Sequence, residues 1–252
     1  MKKIRHVRKK KPLHHSRPAD SKTLDKTVDR VKQELAHMID VNPQVARLVN
    51  RKGVAARTTL GSFCMAVLET VIVAAGIHKP WVSLHARRTG DYAAILARKM
   101  GLDEENVGVA KRSGILHDIG KIGIPDSILQ KPAPLTRREM EIMKRHVEIG
   151  YNLLRSFPFM SEEANTVYAH HERYDGSGYP RGLRGNNIPR IARIVAVADS
   201  FDALKFNRAY RGATPLHIVV ESIVSGAGSL FDPRVAEAFI QCYRDFEKVP
   251  ER

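Results

Sequence analysis

The chain has 252 residues, 43% apolar, 6% aromatic and 27% charged, with 2 Cys and a formal charge of +15. That length holds one domain with an appendage, or two small ones, and a core large enough to enclose a polar site without staples. Two distant cysteines, Cys64 and Cys242, exclude a disulfide framework and a thiolate zinc knuckle and fit a reducing, cytoplasmic setting. The excess of base suits a polyanionic partner without naming one.

Eight of the cations fall in Met1–Pro18, which has no acid. A tail over 1–20 with no hydrophobic period is expected to be disordered. Its functional reading is an arm for nucleic acid or an anionic membrane, and its bland one is a solvated tail without a partner. A helical region over 21–80 follows. One helix runs from Asp20 or Ser21 toward His37, before the Asn42-Pro43 break, and another from Leu60 to Ala75. The first long apolar run begins near Leu60, not behind the basic N-terminus, so no secretory leader is expected. Leu60–Ile77 approaches the length of a membrane span, but Glu69 in its middle favours a buried or interfacial helix that dimerises, transmits a signal or packs on the rest.

The domain expected over 81–252 reads as closely spaced helices. One covers Val82–Met100, with Tyr92, Ala93, Leu96 and Met100 on one stripe and Gly101 as its C′ residue. The next opens at Asp103 and reaches Gly114-Ile-Leu-His-Asp118. Thr136-Arg-Arg-Glu139 is a capping box that opens a helix through about Leu154. Ser161-Glu-Glu opens another that ends at His170-His171, and a further helix spans about Arg190–Leu204. Thr214-Pro215 and Asp232-Pro233 each offer an N-cap with Pro at N1. No alternating segment or Asn-Gly hairpin predicts a strand, so the fold class is all-α. Tyr174–Pro189, with four Gly and two Pro, breaks the pattern and reads as a functional loop, because connections this long are rarely filler.

Of eleven His, His85, His117, His146, His170 and His171 form a suggestive set, with His217 an outlier. His117-Asp118 and His170-His171 each close a helix. Asp199 lies in a very apolar helix, where an unpaired carboxylate is expensive. Each residue alone has a bland reading as a satisfied core or surface side chain. Together, imidazole and carboxylate without thiolate are the ligand set of iron, manganese or zinc sites.

Three stretches carry a family resemblance: HDIGKIGIPDSIL (His117–Leu129), HHERYDGSGYP (His170–Pro180) and RIVAVADSFDAL (Arg193–Leu204). With MKRHVEIG (Met143–Gly150) and a late FDP (Phe231–Pro233), their order and spacing resemble the HD-GYP subgroup of the HD phosphohydrolase superfamily. The resemblance implies a compact helical bundle enclosing two or three metal ions and hydrolysis of cyclic di-GMP to pGpG, often on to GMP. Carried over by residue, it makes Asp118 a bridge between two metals. His85, His117 and Asp199 would complete one coordination sphere, and His146, His170 and His171 the other. Two divalent ions about 3.5–4 Å apart can activate a shared water and clamp a displacement at phosphorus, so attack by a metal-bridging hydroxide is expected. Lys121, one turn past His117 if the helix continues, would bring positive charge to the phosphate, or else cap a helix C-terminus. By the same comparison Tyr179 would lie beside the substrate, and Arg208 and Arg211 would pair with its phosphates. Gly176 and Gly178 would free the loop backbone, Pro180 would fix its exit, and Asp175 would brace it.

The chain departs from the pattern in three places. Where some relatives carry a metal-binding Glu, four residues before the first ligand His, this chain has Trp81. Two metals, Fe(II) or Mn(II), are therefore expected and not three. The usual stretch resembling TSDRPY reads KFNRAY over Lys205–Tyr210, which retains Arg208 but alters its neighbours. No sensory pattern is visible ahead of the domain. GGDEF-type diguanylate cyclases docking through the GYP loop, and a homodimer, are further partners the family suggests. Two other functions compete: a non-catalytic cyclic-dinucleotide sensor or cyclase-docking module, and an HD-type hydrolase of nucleotides or single-stranded nucleic acid. Intact positions at all seven ligands favour catalysis.

Overall fold

The computed structural model describes residues 80–206 and 214–250. The expected tail, the helices over 21–79 with Leu60–Ile77, and the stretch 207–213 carrying Arg208 and Arg211 lie outside the described residues. Nine α-helices are described: α1 (Pro80–Lys99), α2 (Glu104–Leu116), α3 (Asp126–Leu129), α4 (Arg137–Lys144), α5 (His146–Leu154), α6 (Ser161–Ala169), α7 (Arg190–Lys205), α8 (Leu216–Ser225) and α9 (Pro233–Phe246). Among the described residues the only β pairing is an isolated bridge between Ala227 and Phe231. The fold is all-α, as expected.

Two apolar clusters organise the bundle. On α1 the stripe of Tyr92, Ala93 and Leu96 is fully buried, and Gly101 ends the helix at φ +72°, a left-handed C′ position that suits glycine. Tyr92 stacks on Phe246 of α9 at 4.4 Å and meets Phe201 of α7 edge-on at 5.1 Å. Each such ring withdrawn from water contributes about 1.5–3 kcal/mol. The second cluster joins Leu116, Leu153, Leu154, Phe157, Met160 and Val167, pressing α5 onto α6. Helix α2 belongs to both: Val107, Val109 and Ala110 face the first cluster and Leu116 the second. Its C-terminus, with His117 and Asp118, is therefore held between two rigid bodies of packing.

Three helix starts follow the capping chemistry. Asp103 accepts from the Asn106 N–H at 2.8 Å, Thr136 and Glu139 form the full capping box, and Asp232 caps α9 with Pro233 in its first turn. Two expectations are corrected. The single helix expected from Thr136 to Leu154 is broken at Arg145. There the Arg145 N–H turns back to the Ile142 carbonyl at 3.1 Å, and His146 Nδ1 takes the Met143 carbonyl at 2.8 Å, a position that a continuous helix reserves for the backbone. Helix α8 starts one residue later than the Thr214-Pro215 pairing suggests: Pro215 is itself the N-cap, in an extended conformation, with no side-chain cap bond.

Candidate metal centre

Five imidazoles and two carboxylates converge from five places in the chain. His85 comes from α1, His117 and Asp118 from the turn after α2, His146 from the first residue of α5, His170 and His171 from the end of α6, and Asp199 from α7. His85, His117, His146 and His170 are each at most 3% exposed. His85 Nε2 lies 3.3 Å from Asp199 Oδ1 and 3.3 Å from His117 Nε2. His117 Nε2 is 3.6 Å from Asp199 Oδ1. Asp118 turns Oδ2 toward His117 Nε2 at 3.3 Å and Oδ1 toward His146 Nε2 at 3.6 Å. His146 Nε2 faces His170 Nε2 at 3.5 Å. Two groups able to hold a metal ion result, His85-His117-Asp199 and His146-His170-His171, with Asp118 offering one oxygen to each side.

The approach of the HD turn to His146 depends on Gly120. A Cβ there would overlap the His146 carbonyl oxygen and come within 2.5 Å of the Gly150 nitrogen, so only glycine lets the turn (Ile119–Gly123, a short 3-10 helix) seat on α5.

Whether these residues fit a metal can be tested on their hydrogen bonds. Nδ1 of His117, His146 and His170 each bonds the carbonyl of the residue three earlier, at 2.7, 2.8 and 2.7 Å. A carbonyl only accepts, so each Nδ1 carries the proton and each Nε2 of the neutral ring presents a lone pair. Across the 3.5 Å between His146 and His170, two lone pairs face each other and no hydrogen bond can form. A cation placed between them turns that repulsion into ligation. The donor set, imidazole and carboxylate without sulfur, suits iron, manganese or zinc.

The electrostatics divide the site in two. Burial lowers His146, takes His171 down to about 4, and, with the neighbouring imidazoles, holds His170 well below its usual range. These rings stay neutral and ready to ligate. Burial also works to lower His85, but hydrogen bonds with Asp199 and Asp202 outweigh it and lift His85 to about 9. Burial would raise Asp118 and Asp199. The Lys121 ammonium beside Asp118 and the hydrogen bond from His85 to Asp199 hold both carboxyls far below their ordinary value.

The Tyr174–Pro189 segment is a loop with one short 3-10 turn, Gly185–Asn187, and it meets the centre at His171. Tyr179 stacks on His171 with 4.8 Å between ring centroids, and Lys144 Nζ lies 5.4 Å from the centre of its ring. Burial and the two nearby aspartates push the Tyr179 phenol up. The close pass over the His170-His171 turn requires Gly178, whose Cβ would stand 2.5 Å from both Glu172 Cα and the His171 carbonyl oxygen. Gly176 adopts φ +85°. Asp175 braces the loop locally, accepting from the Ser177 N–H at 2.8 Å.

Most of the expected site residues come together here. Lys121 differs from expectation: α2 stops at Leu116, and from the following 3-10 turn the Lys121 ammonium bonds Asp118 Oδ2 and caps no α-helix. His217 is exposed on α8, apart from the set. Trp81 stands four residues before His85 on α1. Two carboxylates were missed. Glu172, 3% exposed, accepts from the backbone N–H of Arg181 at 2.8 Å and of Leu183 at 2.9 Å, and is the main brace of the loop. Asp202, 2% exposed, bonds His85 Nδ1 at 2.7 Å and Arg88 through Nε and Nη2 at 2.6 and 2.9 Å. The available signal was spacing: Asp202 follows Asp199, and Arg88 follows His85, by three residues on one helix face.

A family model described as an HD domain matches residues 69–235. Among characterised proteins, a cyclic di-GMP phosphodiesterase of Thermotoga maritima is 41% identical over 197 residues, covering 77% of this chain and 54% of that protein. A cyclic di-GMP phosphodiesterase response regulator of Xanthomonas campestris pv. campestris is 45% identical over 169 residues, covering 66% and 45%. A 3'3'-cGAMP-specific phosphodiesterase of Vibrio cholerae is 40% identical over 164 residues, covering 64% and 31%. The chain thus spans about half the length, or less, of these relatives. Among solved structures, an HDG"Y"P protein from Bdellovibrio bacteriovorus shares the fold, with a TM-score of 0.54 over 89% of this chain and 73% of that one at 16% identity. No described helix is long and apolar enough to cross a membrane.

Proposed function

Because the chain belongs to the HD domain family, in its HD-GYP branch, we propose that it is a metal-dependent phosphodiesterase that hydrolyses cyclic di-GMP to pGpG, to GMP or to both in the cytoplasm. The observation that carries this reading is the pair of facing lone pairs on His146 and His170, set across Asp118 from the His85-His117-Asp199 group. We assign one Fe(II) or Mn(II) to each group, with Asp118 shared between them. When bound, such ions lower the pKa of a water held between them and stabilise the charge that develops at phosphorus.

The chain's own side chains then position the diester. Tyr179, laid over His171, offers an aromatic face to a base beside the scissile phosphate. Lys121, next to Asp118, places a cation where charge accumulates on phosphate oxygens, and Lys144 places another over the ring of Tyr179. Arg208 and Arg211 are assigned by motif to the phosphates, where a guanidinium fork takes two oxygens at once.

A second reading, hydrolysis of 3'3'-cGAMP, is favoured by the 40% identity to the Vibrio enzyme named for that substrate. The test is anaerobic turnover of both cyclic dinucleotides by protein loaded with Fe(II) or Mn(II), with products separated and metals counted per chain. Hydrolysis with about two metals per chain, lost along with bound metal in His117→Ala and Asp118→Ala, is expected. Two bound metals without turnover of either substrate would make the protein a sensor instead.

A further inference from the structure

Four imidazoles in the centre are oriented through a bond at Nδ1, and one of the four differs from the rest. His117, His146 and His170 bond neutral backbone carbonyls, whereas His85 bonds the carboxylate of Asp202 at 2.7 Å. That carboxylate is itself fixed. Arg88 grips it through Nε and Nη2, and the Arg88 guanidinium lies 3.9 Å over the ring of Phe206. A carboxylate can only accept, so the Asp202 bond keeps the proton at Nδ1, and once a bound metal has displaced the Nε2 proton the lone pair of His85 is directed at Asp199 and His117. A charged partner also makes that lone pair a stronger donor than a carbonyl partner does, and such outer partners commonly govern metal affinity. Asp199 and Asp202 lie three residues apart on α7. One helix therefore supplies both a ligand and the support of the neighbouring ligand.

We infer that Asp202 is a positioning residue that makes the His85-His117-Asp199 position the tighter of two unequal metal positions, with Arg88 holding Asp202 in register. The inference rests on the two-metal reading above and assigns an order of filling within it.

The experiment is Mn(II) titration of the metal-free full chain, with unbound Mn(II) read by electron paramagnetic resonance. Wild type should bind in two steps. Asp202→Asn should weaken one step about 10- to 100-fold and leave the other within about twofold. In a His146→Ala background, where the His85 position remains intact, Asp202→Asn should weaken the surviving step by the same factor. The double variant Arg88→Met/Asp202→Asn removes the buried cation together with its partner. It carries the same expectation, and is read alone if the single variant does not fold. Wild type that binds no Mn(II) would overturn the metal reading itself. Two wild-type steps that Asp202→Asn leaves unchanged, or weakens equally, would overturn the role of Asp202 alone.

Discussion

The ring of Tyr179 lies on the imidazole of His171, 4.8 Å between centroids and 27° from parallel. The contact joins the Tyr174–Pro189 loop to a residue of one metal-holding group, so loop position and the orientation of that ring are linked. An aromatic pair of this kind contributes about 0.5–1.5 kcal/mol beyond its buried area. Tyr179→Phe keeps the ring and should keep kcat/KM within about twofold of wild type, whereas Tyr179→Ala should lower it by roughly 2- to 12-fold, the range that this energy implies, without changing metal content. Steady-state kinetics with metal analysis checks both. A tenfold loss in Tyr179→Phe would assign the work to the phenol oxygen.

Glu172 makes a second prediction about the same loop. Its buried carboxylate accepts from two backbone N–H groups, those of Arg181 and Leu183, and hydrogen bonds to a charged group contribute about 1.5–3 kcal/mol each. Glu172→Ala leaves both donors without that partner and should release the loop. Trypsin should then cleave after Arg181 or Arg184 several times faster, and KM should rise more than kcat falls. Cleavage at the wild-type rate would show that the bonds from Tyr174 and Asp175 to Leu230 and Ser229 hold the loop unaided.

His117, Asp118, His146, His170, His171 and Asp199 were legible in the sequence because they sit in contiguous motifs whose spacing survives as a local pattern, whereas His85 stands outside those motifs and was placed by the family resemblance. Three helix starts were legible as local patterns too: caps at Asp103, Thr136 and Asp232 act within one turn. The break at Arg145 was not. It exists because the His146 ring takes the Met143 carbonyl, a competition between side chain and backbone that the pull of the centre decides. Glu172 and Asp202 stood inside the motifs as mere letters, since their partners, loop amides 9 and 11 residues on and an arginine 114 residues away, are set by tertiary packing. Lys121 was assigned by extending α2 past Leu116, where the chain instead tightens into a 3-10 turn.

That tight turn gives a third prediction. Since a Cβ on Gly120 would overlap the His146 carbonyl, Gly120→Ala must push the HD turn off α5. Overpacking against backbone costs about 1–3 kcal/mol, and for a domain of this size each kcal/mol shifts Tm by about 2–4 °C. A fall of several degrees is expected in the metal-free protein, with a larger relative loss of bound metal, because Asp118 is carried away from His146. Differential scanning calorimetry and metal counts read the two effects separately. An unchanged Tm would mean that the turn yields without cost.

The stability of the metal-free protein should pass through a maximum near pH 6.5, with His85 setting the alkaline side and the depressed imidazoles of His146, His170 and His171 the acid side. His171 is held down to about 4 by burial, while the unfolded chain takes up that proton at about 6.5. Its contribution is fully present above the unfolded value and is lost as pH falls toward the folded one. Asp118 and Asp199, held far below the usual carboxylate range, keep their contribution above the unfolded value of about 3.9, so they steepen only the lowest end of the acid limb. His85 runs the other way. Its folded value of about 9 lies above the unfolded one, so its contribution is fully present below about 6.5 and is lost as pH rises through about 9. Each displacement corresponds to roughly 3 kcal/mol, so both limbs should be visible in Tm measured with chelator from pH 4.5 to 9.5. His85→Gln should flatten the alkaline limb and leave the acid limb in place. A wild-type Tm that climbs steadily from pH 6.5 to 9 would show that His85 is not held as a cation between Asp199 and Asp202.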